Sequence, residues 1–319
     1  MEQPRGEAAA PGITVAVIGT GLIGVGWAAL MLARGLSVSA WDPSPGFAER
    51  LASQVEARRA ALAPLGLVPN LSRLTAAATL EEAVYGAGFV QENAPDTDAA
   101  KRPLLATLDA ATAQGVPIAS STSALLLSPL VADLPGAERF LLGHPINPAD
   151  LMPLVEISGG ERTSRATIDR AVAFYRSLGK RPVVLNREVA GHIAGRLAAA
   201  LYREAVALVE DGIADAATVD EALSASMGLR WAATGVHLSY HLGGGPGGLA
   251  HYLDHLGPAQ ERRWASMRTP ALTPDLKARL VSEVEAIAAG RSVAELEAER
   301  DARLAALLRA LGAAEARHG

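Results

Sequence analysis

ITVAVIGTGLIGVGW, residues 13 to 27, decides how the rest of the chain is read. An apolar, β-branched run over 13–19 leads directly into Gly19, Gly21 and Gly24 at GxGxxG spacing. A run without polar alternation is what a strand buried on both faces requires. Residues 21–35 then take helical spacing and close on Gly35, a position suited to a helix C-cap. A second short strand, 36–42, ends on Asp42. The stretch 13–42 therefore has the length and order of one strand–helix–strand crossover.

A GxGxxG by itself is weak, and a glycine-rich turn with no ligand is the plainer reading. Context raises it: a strand precedes it, a helix follows it, and an acid ends the next strand. Gly19 permits the tight turn, Gly21 leaves no side chain over a pyrophosphate, and Gly24 lets helix and strand pack closely. Together with Leu22 and Ile23, these residues make a phosphate-binding turn at a helix N-terminus, where free N–H groups and the helix dipole favour anions. Asp42 would accept the ribose hydroxyls and repel a 2′-phosphate, which favours NAD over NADP.

Outward from this unit, further strands are expected at 88–93, 117–121 and 139–144. Helical stretches at 45–63, 79–85, 98–114 and 124–133 separate them. Alternation of this kind predicts an α/β, Rossmann-like doubly wound parallel sheet. From 189 onward strand-like runs vanish, and helices are expected at 190–212, 216–226, 231–242, 247–256, 275–289 and 293–311. The expected division is a polar, disordered tail at 1–11, an NAD-binding domain at 12–187 and an all-helical substrate and dimerisation domain at 188–319.

Composition narrows the function. A chain of 319 residues suggests about two domains. A net charge of −5 and no basic block argue against a nucleic-acid surface. Zero cysteines rule out disulfides, thiolate metal sites and cysteine nucleophiles, and fit a reducing, cytoplasmic setting. Charges interrupt every long apolar run, so no membrane span is expected. The opening residues lack the layout of a secretory signal.

The chemistry concentrates in SSTSALLLSPL (120–130) and LLGHPINPADLMPLVEISGG (141–160). His144 closes a predicted strand, and Asn147 follows in a Pro-flanked loop. Glu156 lies inside the apolar run LMPLVEIS, where a carboxylate is costly unless paired. If 139–144 and 153–158 lie side by side, Glu156 reaches His144, fixes one imidazole tautomer and raises its basicity, as a general base needs. Ser123 follows another strand end and could hold the substrate oxygen. Spacing alone leaves open a lone core histidine with a glutamate nearby by chance.

These motifs resemble the 3-hydroxyacyl-CoA dehydrogenase family, in its branch acting on free acids (carnitine dehydrogenase, gulonate dehydrogenase, lambda-crystallin). S-x-T-S appears as Ser120-Ser121-Thr122-Ser123, H-x-x-N-P as His144-Pro145-Ile146-Asn147-Pro148, and the family glutamate falls on Glu156. The carnitine dehydrogenases read most alike, through VQENAP (90–95), GLRWA (228–232) and YHLGGGPGGLAHY (240–252). The resemblance implies that His144 is the base, Glu156 its partner, and Ser123 and Asn147 the substrate-oxygen contacts. It also implies that Asn93, Ala94, Asp96, Lys101 and Ser121 line the cofactor side. A small 3-hydroxy acid is then the substrate partner, NAD the cofactor, and a homodimer through the helical half the assembly.

The chain departs from the branch around the substrate. Gly195 stands where relatives carry Asn or Asp, and Ile146, Ala233 and Arg262 stand where aromatic rings are expected. A trimethylammonium group is best held over aromatic faces. Trp231, Tyr240, Tyr252 and Trp264 are candidates for such a cage, against ordinary packing as the alternative. Arg196 and Arg230 are candidates for the substrate carboxylate, although most arginines are solvated or structural. The i,i+4 pairs His237/His241 and His251/His255 lack a third ligand in sequence, and no metal is expected. Other readings are the same chemistry on a different 3-hydroxy or 3-oxo acid, and a non-catalytic, crystallin-like NAD-binding protein. A lysine-based β-hydroxyacid dehydrogenase is disfavoured because GHIAGR (191–196) holds no lysine.

Overall fold

The computed structural model describes residues 12–318; the expected tail at 1–11 lies outside the described residues. The chain divides into two compact units, one running to Gly195 and resuming at Ala298, the other Arg196–Glu297. The division thus falls a few residues later than expected at 187/188, and the last stretch groups with the first unit.

Among the described residues the first unit holds eight strands: β1 (Thr14–Ile18), β2 (Ser37–Trp41), β3 (Leu74–Ala76), β4 (Phe89–Glu92), β5 (Ile118–Ser120), β6 (Phe140–Pro145), β7 (Leu154–Gly159) and β8 (Arg181–Val184). They form one sheet in the order β3-β2-β1-β4-β5-β6-β7-β8. The neighbours from β3 to β6 pair in parallel, β7 pairs antiparallel with β6, and β8 runs parallel to β7. The doubly wound expectation holds except at this reversal. Only eight residues separate β6 from β7, too few for a crossover helix, so the chain turns back on itself.

The helices of this unit are α1 (Leu22–Ala33), α2 (Phe47–Ala57), α3 (Arg59–Leu62), α4 (Leu80–Val84), α5 (Asp98–Ala111), α6 (Leu127–Val131), α7 (Arg165–Ser177) and the start of α8 (Ala194–Glu210). One sheet face packs on α1 and α7, with Trp27, Met31 and Tyr175 wholly buried. The other packs on α4, α5 and α6 through Leu80, Leu105 and Leu130. Each such side chain contributes on the order of 2 kcal/mol by leaving water. Strands β3 and β8 and helix α7 lie outside the elements expected from sequence.

The second unit holds the rest of α8, then α9 (Ala216–Ala222), α10 (Leu229–Thr234), α11 (Val236–Gly243), α12 (Gly248–Ser266), α13 (Pro274–Ala288) and the start of α14 (Val293–His318). Asp215 and Thr273 cap α9 and α13 through their side chains, each accepting an N–H in the first turn. The expected helix at 231–242 breaks at Gly235, whose φ of 73° ends α10 before α11 begins. From Ala298 on, α14 belongs to the first unit: Ala305 is buried, Leu304 and Leu308 pack on its core, and Asp301 pairs with Arg58 at 2.8 Å.

Candidate active site

The phosphate turn is built as its glycines require. Gly19 has φ 88°, and a Cβ there would meet the Asn93 carbonyl at 2.8 Å. A Cβ on Gly24 would sit 1.9 Å from the Gly19 carbonyl oxygen, so only glycine lets α1 start this close to β1. Gly21 faces open space, with nothing within 4 Å of an added Cβ. No side chain caps the N-terminus of α1, so its first N–H groups are available to an anion. At the end of β2, Asp42 accepts hydrogen bonds from Thr20 N (2.7 Å) and Ser44 N (2.8 Å). Partial burial works against its charge, but the Ser44 and Thr20 donors outweigh it and hold the carboxyl below its ordinary range. Beside it lies a cavity of about 530 Å³ lined by Trp41, Thr79, Leu80, Ala100, Pro103 and Leu104. An uncapped helix N-terminus, a carboxylate at the end of β2 and an apolar slot together fit a dinucleotide.

A second cavity, of about 290 Å³, lies at the carboxyl ends of β4, β5 and β6, with Ile23, Asn93, Ser121, Ser123, His144 and Asn147 in its wall. A polar relay beneath it fixes one wall. Tyr175 Oη donates to Gln91 Oε1 (2.6 Å), Gln91 Nε2 to Ser121 Oγ (2.8 Å), and Ser121 Oγ to Asn93 Oδ1 (2.7 Å). Asn93 Nδ2 donates to Gln91 O at 3.0 Å, so its amide is held at both ends. Gln91, wholly buried, was missed from sequence because a lone Gln in a strand carries no motif.

Asp96 anchors the loop that carries Ser123. It accepts from Ser123 N (2.8 Å), Ser123 Oγ (2.8 Å), Ala124 N (2.9 Å) and the Thr122 hydroxyl. Burial pushes its carboxyl up, and the Thr122, Ser123 and Ala124 donors bring it below its usual range. Lys101 is wholly buried, with Nζ 2.9 and 3.0 Å from the two oxygens of Glu92 and 3.1 Å from Ala94 O. In this geometry its charge is engaged by Glu92, and it shapes the wall at Ala94 rather than facing the cavity.

His144 and Glu156 are opposite residues across the β6–β7 antiparallel pair, the juxtaposition anticipated for 139–144 and 153–158. His144 Nδ1 lies 3.0 Å from Glu156 Oε2. The other carboxylate oxygen accepts from Ile193 N (2.8 Å) and Ala194 N (2.9 Å), at the start of α8. Buried Glu156 thus has both oxygens engaged. The Nδ1 contact leaves His144 Nε2 free as a proton acceptor. Burial is the largest influence on His144 and lowers its basicity; Glu156 pulls upward and His192 downward, and the net direction is down. The expected rise in basicity is therefore outweighed by desolvation, and the ring is neutral near neutral pH.

Asn147 is exposed and followed by a cis Asn147–Pro148 peptide. Ile146 lines the same cavity. Lys180 holds the following turn, donating to Met152 O at 2.7 Å and to Ala149 O. Gly195 is exposed, with nothing within 4 Å of an added Cβ. Arg196, Arg230, Trp231 and Tyr240 lie in the helical unit, where Tyr240 packs on Tyr252 at 5.0 Å between ring centroids. Among the described residues no group of three or more His, Asp or Glu could hold a metal ion.

The sequence matches the model described as 3-hydroxyacyl-CoA dehydrogenase, NAD binding domain, over residues 14–189, and that of the C-terminal domain over 191–277. It is 48% identical over 300 residues to an L-carnitine dehydrogenase of Streptomyces griseus subsp. griseus, spanning 93% of this chain and 90% of that one. It is 44% identical over 308 residues to an L-carnitine dehydrogenase of Pseudomonas aeruginosa, spanning 96% of each. Among solved structures it is similar to 5-formyl-3-hydroxy-2-methylpyridine 4-carboxylic acid 5-dehydrogenase, an NAD+-dependent dismutase. That match has TM-score 0.74 and 28% identity, over 94% of this chain and 98% of the other.

Proposed function

The chain belongs to the 3-hydroxyacyl-CoA dehydrogenase family and is an NAD-dependent oxidoreductase; on that premise we propose that it oxidises the 3-hydroxyl of a small free acid, L-carnitine or a close analogue, or runs the reverse reduction. The observation that carries this is the His144–Glu156 contact of 3.0 Å beside a cavity also lined by Ser123 and Asn147.

Gly19, Gly21, Leu22, Ile23 and Gly24 would hold the pyrophosphate and Asp42 the adenosine ribose, with Asn93, Ala94 and Ser121 on the nicotinamide side. NAD, when bound, supplies the hydride acceptor. His144 Nε2 takes the hydroxyl proton, which general-base catalysis rewards by about 10²–10⁴ in rate. Glu156, whose other oxygen accepts from the Ile193 and Ala194 N–H groups, steadies the imidazolium that results. Asn147 holds the substrate oxygen, and Ser123 does so when its hydroxyl turns from Asp96. In the reverse direction the imidazolium returns the proton to a 3-oxo acid.

The candidates for substrate recognition are Ile146 and Gly195 in the first unit and, in the helical unit, Arg196 and Arg230 for the carboxylate and Trp231 and Tyr240 for a cationic head. The open space at Gly195 favours one further reading, a bulkier 3-hydroxy acid. Leu238, Leu242, Leu253, Leu256 and Trp264 are exposed on the helical unit, which supports a homodimer through that unit. We place its work in the cytoplasm, with the NAD pool on which it draws.

The test is NADH formation at alkaline pH with L-carnitine, D-carnitine, L-gulonate and L-3-hydroxybutyrate, each with NAD and NADP, beside His144→Ala. Turnover of L-carnitine with NAD, lost in the variant, is the expected result. Turnover of another acid alone moves the substrate to that acid. No turnover of any, with NADH still bound, sinks the L-carnitine reading.

A further inference from the structure

His192 is one of two non-glycine residues with positive φ among the described residues, at 47°. It is 1% exposed. Its Nε2 lies 3.0 Å from the Thr122 carbonyl, the residue before Ser123. Its ring centroid lies 4.9 Å from that of His144, tilted by 49°. The next two N–H groups along the chain, of Ile193 and Ala194, are the ones that converge on Glu156 Oε1. One residue therefore touches the serine loop, packs on the histidine of the site and turns the backbone onto the glutamate.

A left-handed backbone costs on the order of 1 kcal/mol for a residue with a Cβ and persists only where surrounding contacts over-determine it. Here they do. A carbonyl can only accept, so Nε2 of His192 carries a proton toward Thr122 O, and a neutral His192 keeps its lone pair on Nδ1. We infer that His192 is a positioning residue that orients His144 and the Ser123 loop. The charged or titratable groups facing His144 are Glu156 from β7, His192 from the segment before α8 and Asp96 from the loop after β4; His192 is the one that opposes its protonation.

The inference rests on reading His144 as the base, but its test does not need the substrate. The protein has seven histidines, few enough to follow by NMR with ¹³Cε1-histidine labelling in the presence of NADH. Two variants separate the parts: His192→Gly removes the ring at a φ that glycine adopts freely, and His192→Gln places an amide Nε2 as donor for Thr122 O without an ionisable group. In both, His144 should titrate higher than in the parent, by roughly a few tenths of a pH unit. Where the oxidation is measured, His192→Gly should lose about tenfold in kcat with KM for NAD unchanged, and His192→Gln should recover most of it. An unshifted His144 in both variants overturns the inference whatever the activity. Oxidation surviving in His144→Gln overturns the base assignment itself, which is a different result.

Discussion

His144 and Glu156 are register partners in the one antiparallel pair of the sheet, so the 3.0 Å contact between them is set by strand pairing and not by loop geometry. The side chains of directly opposite residues leave the same face at a fixed spacing. Replacing Glu156 by Gln keeps the shape and removes the charge that pulls His144 upward. We expect kcat for the oxidation to fall by about 10²-fold or more and the acid limb of kcat/KM to move to lower pH. A limb that moves to higher pH would show that Glu156 acts on something other than His144.

Stability should also report on His144. Its folded form holds a proton less readily than free histidine. As pH falls below about 6.5, the unfolded chain protonates first and gains stability relative to the fold. His144 thus contributes stability that is complete above the unfolded pKa and is lost as pH drops toward the folded one. In His144→Gln, the slope of unfolding free energy against pH should lessen by up to one proton over that window, as measured by urea titration at several pH values. An unchanged slope would place the shift elsewhere.

Two glycines of the phosphate turn should separate folding from binding. A methyl at Gly24 meets the Gly19 carbonyl oxygen at 1.9 Å, whereas at Gly21 it meets nothing within 4 Å. Gly24→Ala should therefore lower the melting temperature by several degrees, as overpacking costs about 1–3 kcal/mol. Gly21→Ala should melt like the parent but bind NADH about ten- to a hundredfold more weakly, because its methyl enters the space left for the pyrophosphate. Unaltered NADH affinity in Gly21→Ala would mean that the phosphates run elsewhere.

The Glu92–Lys101 pair offers a third kind of test. Both side chains are essentially unexposed, and Lys101→Met strands a buried carboxylate. The loss should be about 3–5 kcal/mol in unfolding free energy. Adding Glu92→Leu should restore part of it, since the uncompensated charge is gone. A single variant as stable as the parent would mean that the Ala94 N–H and the Ser120 hydroxyl, which also donate to Glu92, suffice without Lys101.

Much of this was legible in the residues. The run 13–19, the three glycines and Asp42 carry the cofactor half because each step is local: a strand, a turn, a helix and an acid in sequence. Glu156 was legible because an acid inside LMPLVEIS has to find a partner. Strand β8 was not, since RPVV is short, half polar and defined by pairing with β7. Nor was the role of His192: its importance lies in a positive φ and a carbonyl 70 residues away, neither of which leaves a pattern in GHIAGR. The cost of burying His144 was likewise a tertiary quantity, and it reversed the expected direction of its shift.

The return of α14 has a consequence for how the protein is made. Asp301, Leu304, Ala305 and Leu308 complete the nucleotide-binding unit, yet they are translated after the whole helical unit, residues 196–297. At typical synthesis speeds that interval lasts on the order of 5–20 s. Throughout it, Arg58 can reach Asp150 but not Asp301, and the apolar surface that α14 will cover stays open. The first unit to emerge from the ribosome is therefore the last to be finished, and the nascent chain is most exposed to chaperones and proteases while its helical insert is being made.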